Sequence, residues 1–194
     1  MKTMKKLLLI LCLLLLPTLS YAGGGMMLGI VGGGTPAAAG GTGVIGQIDH
    51  SGTGYGGQTG FYMFEAFTTT TAGAVSYGHI HYTSTGSTKL VISIHNSTTG
   101  AMLRSGSTTV VGPSGWVNIA MTDGTGELVA ATSYWLAFQT TVAGTLGAVN
   151  NASSVRFHTE SPMQDPAATI TDEGEGDNYK VLAILFNNTA GSPE

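Results

Sequence analysis

The stretch Gly78-His79-Ile80-His81-Tyr82-Thr83-Ser84-Thr85-Gly86-Ser87-Thr88-Lys89-Leu90-Val91-Ile92-Ser93-Ile94-His95 decides the fold class. Two runs rich in Ile, Val, Tyr and Thr flank a Ser-Thr-Gly-Ser cluster. Side chains of a strand alternate between its faces, so each run reads as a strand with Ile80 and Tyr82, or Leu90, Ile92 and Ile94, turned one way. The cluster between them has the chemistry of a tight turn. A hairpin over 74–95 follows, in which Tyr82 faces Leu90 and Ile80 faces Ile92. His79, His81 and His95 then share the opposite face.

The same grammar runs outward in both directions. Further β-rich runs lie at 44–48, 61–67, 102–111, 116–121, 134–140, 153–158 and 179–187, with turn residues at Asn96 to Gly100, Gly112-Pro113-Ser114-Gly115 and Asp123 to Gly126. In the run 179–187, Val181, Ala183 and Leu185 alternate with Leu182, Ile184 and Phe186. Apolar residues on both faces describe a central strand. No window after residue 22 sustains a 3.6-residue apolar period. The expectation is an all-β protein: an antiparallel, jelly-roll-like β-sandwich of eight or nine strands spanning residues 44–194 as one domain.

The N-terminus reads differently. Lys2, Lys5 and Lys6 precede the apolar run Leu7 to Leu16, then Pro17 and Ser20-Tyr21-Ala22. This is the layout of a cleavable export signal. Ten apolar residues are about half of the roughly 20 that a membrane-spanning helix needs. Cleavage after Ala22 leaves a secreted chain, extracellular or at the cell surface, with the periplasm as an alternative. That chain keeps all 30 glycines and loses the only cysteine, Cys12. It holds four basic residues against eleven acidic ones. So sparse and acidic a charge set offers no footprint for nucleic acid or an anionic membrane.

Between the signal and the sandwich, residues 23–43 form a Gly/Ala-rich arm. It carries Met26-Met27-Leu28-Gly29-Ile30-Val31 between two Gly-Gly-Gly runs. Six residues are a strand's length. Exposed, the five large side chains Met26, Met27, Leu28, Ile30 and Val31 would each forgo about 1.5–3 kcal/mol of burial. The segment therefore reads as an assembly strand, docked on its own sandwich edge or donated to the next subunit.

The stretch 74–140 resembles a module of secreted bacterial and phage-borne β-sandwich proteins. The likeness rests on Ser84-Thr85-Gly86-Ser87, the step Gly100-Ala101-Met102-Leu103, the strand start Gly115-Trp116 and the element Tyr134-Trp135-Leu136-Ala137-Phe138. It departs at His95-Asn96-Ser97, where Tyr-Ser-Asp is usual. The resemblance implies a jelly-roll or galactose-binding-like sandwich outside the cell, and it brings no catalytic residue.

Few motifs carry chemistry. Gly41-Thr42-Gly43-Val44-Ile45-Gly46 spells a dinucleotide fingerprint, but no helix can follow in the Gly/Ser/Thr-rich stretch to Gly60. Three imidazoles on one sheet face, His79, His81 and His95, would suit a transition metal; the plainer reading is a half-exposed polar face. Asp172, Glu173, Glu175 and Asp177 alternate with glycines and would suit calcium, against the plainer reading of a solvated acidic loop. No cofactor is otherwise implied. Tyr55, in a Gly-rich loop, is the ring best placed to stack on a sugar, whereas Trp116 and Trp135 read as core. No nucleophile elbow or zinc-protease helix is present. The function expected is non-enzymatic: a structural or adhesive protein that self-associates, with glycan binding as the alternative.

Overall fold

The computed structural model describes residues 43–52, 54–57, 59–83, 88–110, 115–142, 144–150, 155–159, 167–177 and 180–193. The chain divides into two compact units, residues 1–37 and 38–194, and every described residue belongs to the second. Met26 to Val31 and the turn 84–87 lie outside the described residues.

The second unit is an antiparallel β-sandwich with no helix among its described residues. Its strands are β1 (Ile45–Gln47), β2 (Tyr55–Gly57), β3 (Phe61–Thr68), β4 (Tyr77–Thr83), β5 (Thr88–Asn96), β6 (Met102–Val110), β7 (Gly115–Ala120), β8 (Ser133–Thr140), β9 (Gly144–Leu146), β10 (Ala148–Asn150), β11 (Val155–Thr159), β12 (Glu175–Asp177), β13 (Lys180–Leu182) and β14 (Ile184–Asn187). One six-stranded sheet runs β1-β14-β4-β9-β2, with β7 also on β4; the other runs β12-β11-β3-β8-β5-β6. A small pair, β10-β13, accompanies them. The chain crosses repeatedly between the sheets, as jelly-roll-like folds do.

Inward positions of the two sheets merge into one core, including Ile80, Tyr82, Ile119, Leu146, Ile184 and Phe186 from the first and Met63, Leu90, Ile92, Ile94, Leu136 and Phe138 from the second. The sheets approach closely at Gly78, where a Cβ would overlap Ile92 Cδ1 and lie 2.8 Å from the Phe186 ring. A second cluster lies on the outer face of the second sheet, where Tyr62, Phe64 and Ala137 pack with Ala167 and Ile170.

The hairpin expected over 74–95 is corrected. β4 pairs with β14, β9 and β7, whereas β5 pairs with β6 and β8. Ile80 and Tyr82 do share the core with Leu90, Ile92 and Ile94, but across the sandwich rather than side by side. Alternation sets which side chains point inward, and it is blind to which strand supplies the neighbour. The turn at Asn96 to Gly100 does close a true hairpin between β5 and β6: Asn96 Oδ1 accepts from the amides of Thr98 (2.9 Å) and Thr99 (3.0 Å). The run 179–187 splits at Ala183, and its second half, β14, sits between β1 and β4 as a central strand should. Four strands of three residues, β2, β9, β10 and β12, raise the number above the eight or nine expected. Three residues are too few to show a strand's two-residue alternation, and β2, β9 and β12 also contain glycine.

A candidate apolar cleft at the sandwich edge

Strand β2 ends one sheet and β12 ends the other. Between them opens a cleft of about 260 Å³ lined by Tyr55, Phe61, Met63, Phe157 and Gly176. Each lining residue follows from its strand. Met63 pairs with Phe157 across β3 and β11, so both point to the core side, and Phe61 lies two residues before Met63 on the same face. Phe61 and Phe157 meet edge to face, ring centroids 5.9 Å apart. Tyr55 comes from the opposite sheet, half-buried against the core. A Cβ on Gly176 would stand 2.8 Å from Tyr55 Oη and 3.4 Å from the Val155 carbonyl oxygen. The absence of a side chain at 176 therefore keeps the mouth open. Apart from the phenol, every side chain lining the cleft is apolar.

The other sequence-derived candidates are placed as follows. Tyr55 lies in a strand, not an exposed loop, and it is the one candidate that reaches the cleft. His79 and His81 sit on β4 in one sheet and His95 on β5 in the other, so the three-imidazole metal arrangement does not form. His79, almost wholly buried, has Nε2 2.9 Å from Asn187 Oδ1. His81 instead stacks on His50. Among the described residues no group of three or more His, Cys, Asp or Glu side chains is disposed to hold a metal ion.

His95 is wholly buried on the outer face of β5. Its Nδ1 lies 2.8 Å from the Gly100 carbonyl oxygen and its Nε2 2.8 Å from Ser93 Oγ. With a proton on Nδ1, the ring donates to Gly100 and accepts from the Ser93 hydroxyl. Burial pushes its pKa down to about 4, outweighing the opposing pull of the Gly100 bond. The spacing is that of a nucleophile and its base, but both side chains are sealed from solvent and no substrate carbonyl can reach them.

The acidic run is exposed at Asp172, Glu173 and Glu175, and these carboxylates meet side chains of β11. Asp172 pairs with Arg156 Nε, Glu175 Oε1 lies 3.4 Å from Arg156 Nη1, and Glu173 Oε1 lies 2.8 Å from His158 Nδ1. Glu173 also accepts from the Thr159 amide at 3.0 Å; hydrogen bonding by the Thr159 side chain, and after it by this amide, holds its pKa below the usual carboxylate value. A cation already occupies the centre of the run: it is Arg156, brought alongside by the β11-β12 pairing.

Two features escaped the sequence reading. Glu65 is buried on the core side of β3 and accepts from the Leu182 amide at 3.0 Å. His50, His81 and Trp116 form a ring cluster on the first sheet. Neither Glu65 nor His50 stands in a motif, and each finds its partner more than thirty residues away.

No family model, curated protein or solved structure matches this chain.

Proposed function

We propose that this is a secreted, non-enzymatic structural or adhesive protein whose edge cleft accepts apolar side chains from the Met26 to Val31 segment of a neighbouring copy. The observation that carries this reading is the cleft itself: a hollow between two sheets lined by Tyr55, Phe61, Met63 and Phe157, opening where both sheets end in three-residue strands. A donated strand needs such a place. Its backbone lengthens a sheet at the edge while alternate side chains fill pockets between the layers. Met26, Leu28 and Ile30 fall on one face of an extended segment and supply those side chains. Methionine also suits an aromatic-lined hollow, because its thioether packs favourably on rings. Repeated head to tail, the contact does not close and builds a filament. The export-signal layout and the resemblance of 74–140 to extracellular sandwich modules support the same setting.

The test is sedimentation of the mature protein, its 23–34 deletion and Gly176→Val. Assemblies from the mature chain, and folded monomers from both variants, are expected. A mature chain that stays monomeric at high concentration overturns the proposal, as does undiminished assembly by Gly176→Val.

A second reading rests on Tyr55, whose half-buried phenol at the cleft mouth is a platform for the apolar face of a sugar ring. It requires glycan binding by the monomer that Tyr55→Ala weakens.

A further inference from the structure

Glu65 is a carboxylate on the core side of β3, only 2% exposed, and the assembly proposed above makes no use of it. Its Oε2 accepts from the Leu182 amide at 3.0 Å. That bond fixes the carboxylate against β13, two residues along the strand from Lys180.

β13 is paired with β10 in a register that sets Ala148 opposite Leu182, Val149 opposite Val181 and Asn150 opposite Lys180. Opposed residues of an antiparallel ladder alternate between two kinds. One kind exchanges its backbone hydrogen bonds; the other turns its N–H and C=O groups outward and brings its side chains closer. Ala148 and Leu182 are of the second kind, because their backbone groups are spent elsewhere. The Leu182 amide donates to Glu65, its carbonyl accepts from Gln47 Nε2 at 2.8 Å, and the Ala148 carbonyl accepts from the Gly52 amide at 3.0 Å. Two residues further on, Asn150 and Lys180 are again of that closer kind, with Cα atoms about 4.5 Å apart. The two-residue alternation also puts them on the strand face of Ala148 and Leu182, and both of those residues are wholly buried. The topology therefore gathers a primary amide residue, a lysine and a buried carboxylate from three strands.

We infer that Lys180 and Asn150 join through their side chains as an intramolecular amide, with Glu65 as the proton carrier. A buried face disfavours an ammonium and so favours the neutral amine, which is the nucleophile. Strand pairing holds amine and amide together at high effective concentration. Glu65 first takes a proton from the Lys180 ammonium. The neutral Nζ attacks Asn150 Cγ, the Cγ–Nζ bond forms, and Nζ gives up a second proton, which the carboxylic acid relays to Nδ2. The Cγ–Nδ2 bond breaks, ammonia leaves, and the proton still held by Glu65 leaves with it as ammonium. One ammonium and one primary amide become one ammonium and one secondary amide, and no oxidant or cofactor enters. No cysteine follows Cys12 in the chain, so this bond would tie two distant strands where no disulfide can.

The test is the intact mass of the folded mature protein, followed by peptide mapping. Expected are a mass lower than that of the sequence by one ammonia and a branched peptide joining the segments around 150 and 180. Asn150→Asp should lose one water instead. Lys180→Met and Asn150→Ala should both show the full mass, whereas Lys89→Met, which alters the other lysine beyond residue 22, should keep the deficit. Glu65→Gln preserves an acceptor for the Leu182 amide and should join about 100-fold more slowly, as loss of a positioned acid–base group predicts. A wild-type protein of full mass overturns the inference. So does a deficit that survives Lys180→Met, since that ammonia would come from an amide side chain acting without the lysine. Joining of Glu65→Gln at the wild-type rate overturns the role given to the carboxylate.

Discussion

The buried His95 makes the stability of the sandwich depend on pH in a calculable way. Its pKa is about 4 in the folded protein, against an ordinary value near 6.5 when the chain is unfolded. Folding therefore depresses the pKa. At neutral pH the ring is uncharged in both states and costs nothing. As pH falls below 6.5 the unfolded chain takes up a proton that the native state refuses, and stability declines by up to about 1.4 kcal/mol per pH unit. By pH 4 the decline amounts to about 3 kcal/mol, and it levels off only below the folded pKa. The full value applies because the ring is wholly buried, with no solvent to screen it. In the double variant Ser93→Ala/His95→Asn, the amide nitrogen of Asn donates to Gly100 in place of Nδ1, and removal of the Ser93 hydroxyl leaves no donor orphaned. Urea unfolding of both proteins at half-unit steps from pH 7.5 to 4 isolates the effect, since the other histidines and the carboxylates are common to both. Expected is a stability difference that shifts by about 3 kcal/mol in the variant's favour over that window. A difference that stays constant between pH 6.5 and 4 would refute the assignment of a neutral, buried ring.

Two other substitutions test the remaining buried and paired groups. Glu65→Ala removes the acceptor of the Leu182 amide and is expected to cost about 1–3 kcal/mol in urea unfolding, whereas Glu65→Gln, which keeps an acceptor oxygen, should cost less. Because Arg156 already fills the centre of the acidic run, calcium should leave the wild-type thermal midpoint unchanged; calorimetric titration of Arg156→Ala, which frees Asp172 and Glu175, checks whether the carboxylates acquire affinity once their own cation is gone.

What the sequence determined by itself was local. Alternation of apolar residues in the runs 74–82 and 88–95 marked both strands and named their inward side chains, because the two-residue period is a property of one extended chain and holds whatever lies beside it. The Asn96 to Gly100 turn was legible for the same reason, its hydrogen bonds spanning only a few residues. The tertiary structure decided everything that depends on which strands become neighbours. It sent β4 and β5 to opposite sheets, which divided His79 and His81 from His95. It laid Arg156 against Asp172 and Glu175, and His50 on His81. It set Tyr55, from a strand too short and Gly-rich to be seen, opposite Phe61 and Phe157 to make the cleft. Pairing between distant strands is chosen by the fit of whole faces across the core. That fit is a sum over many side chains, and no single stretch of sequence contains it.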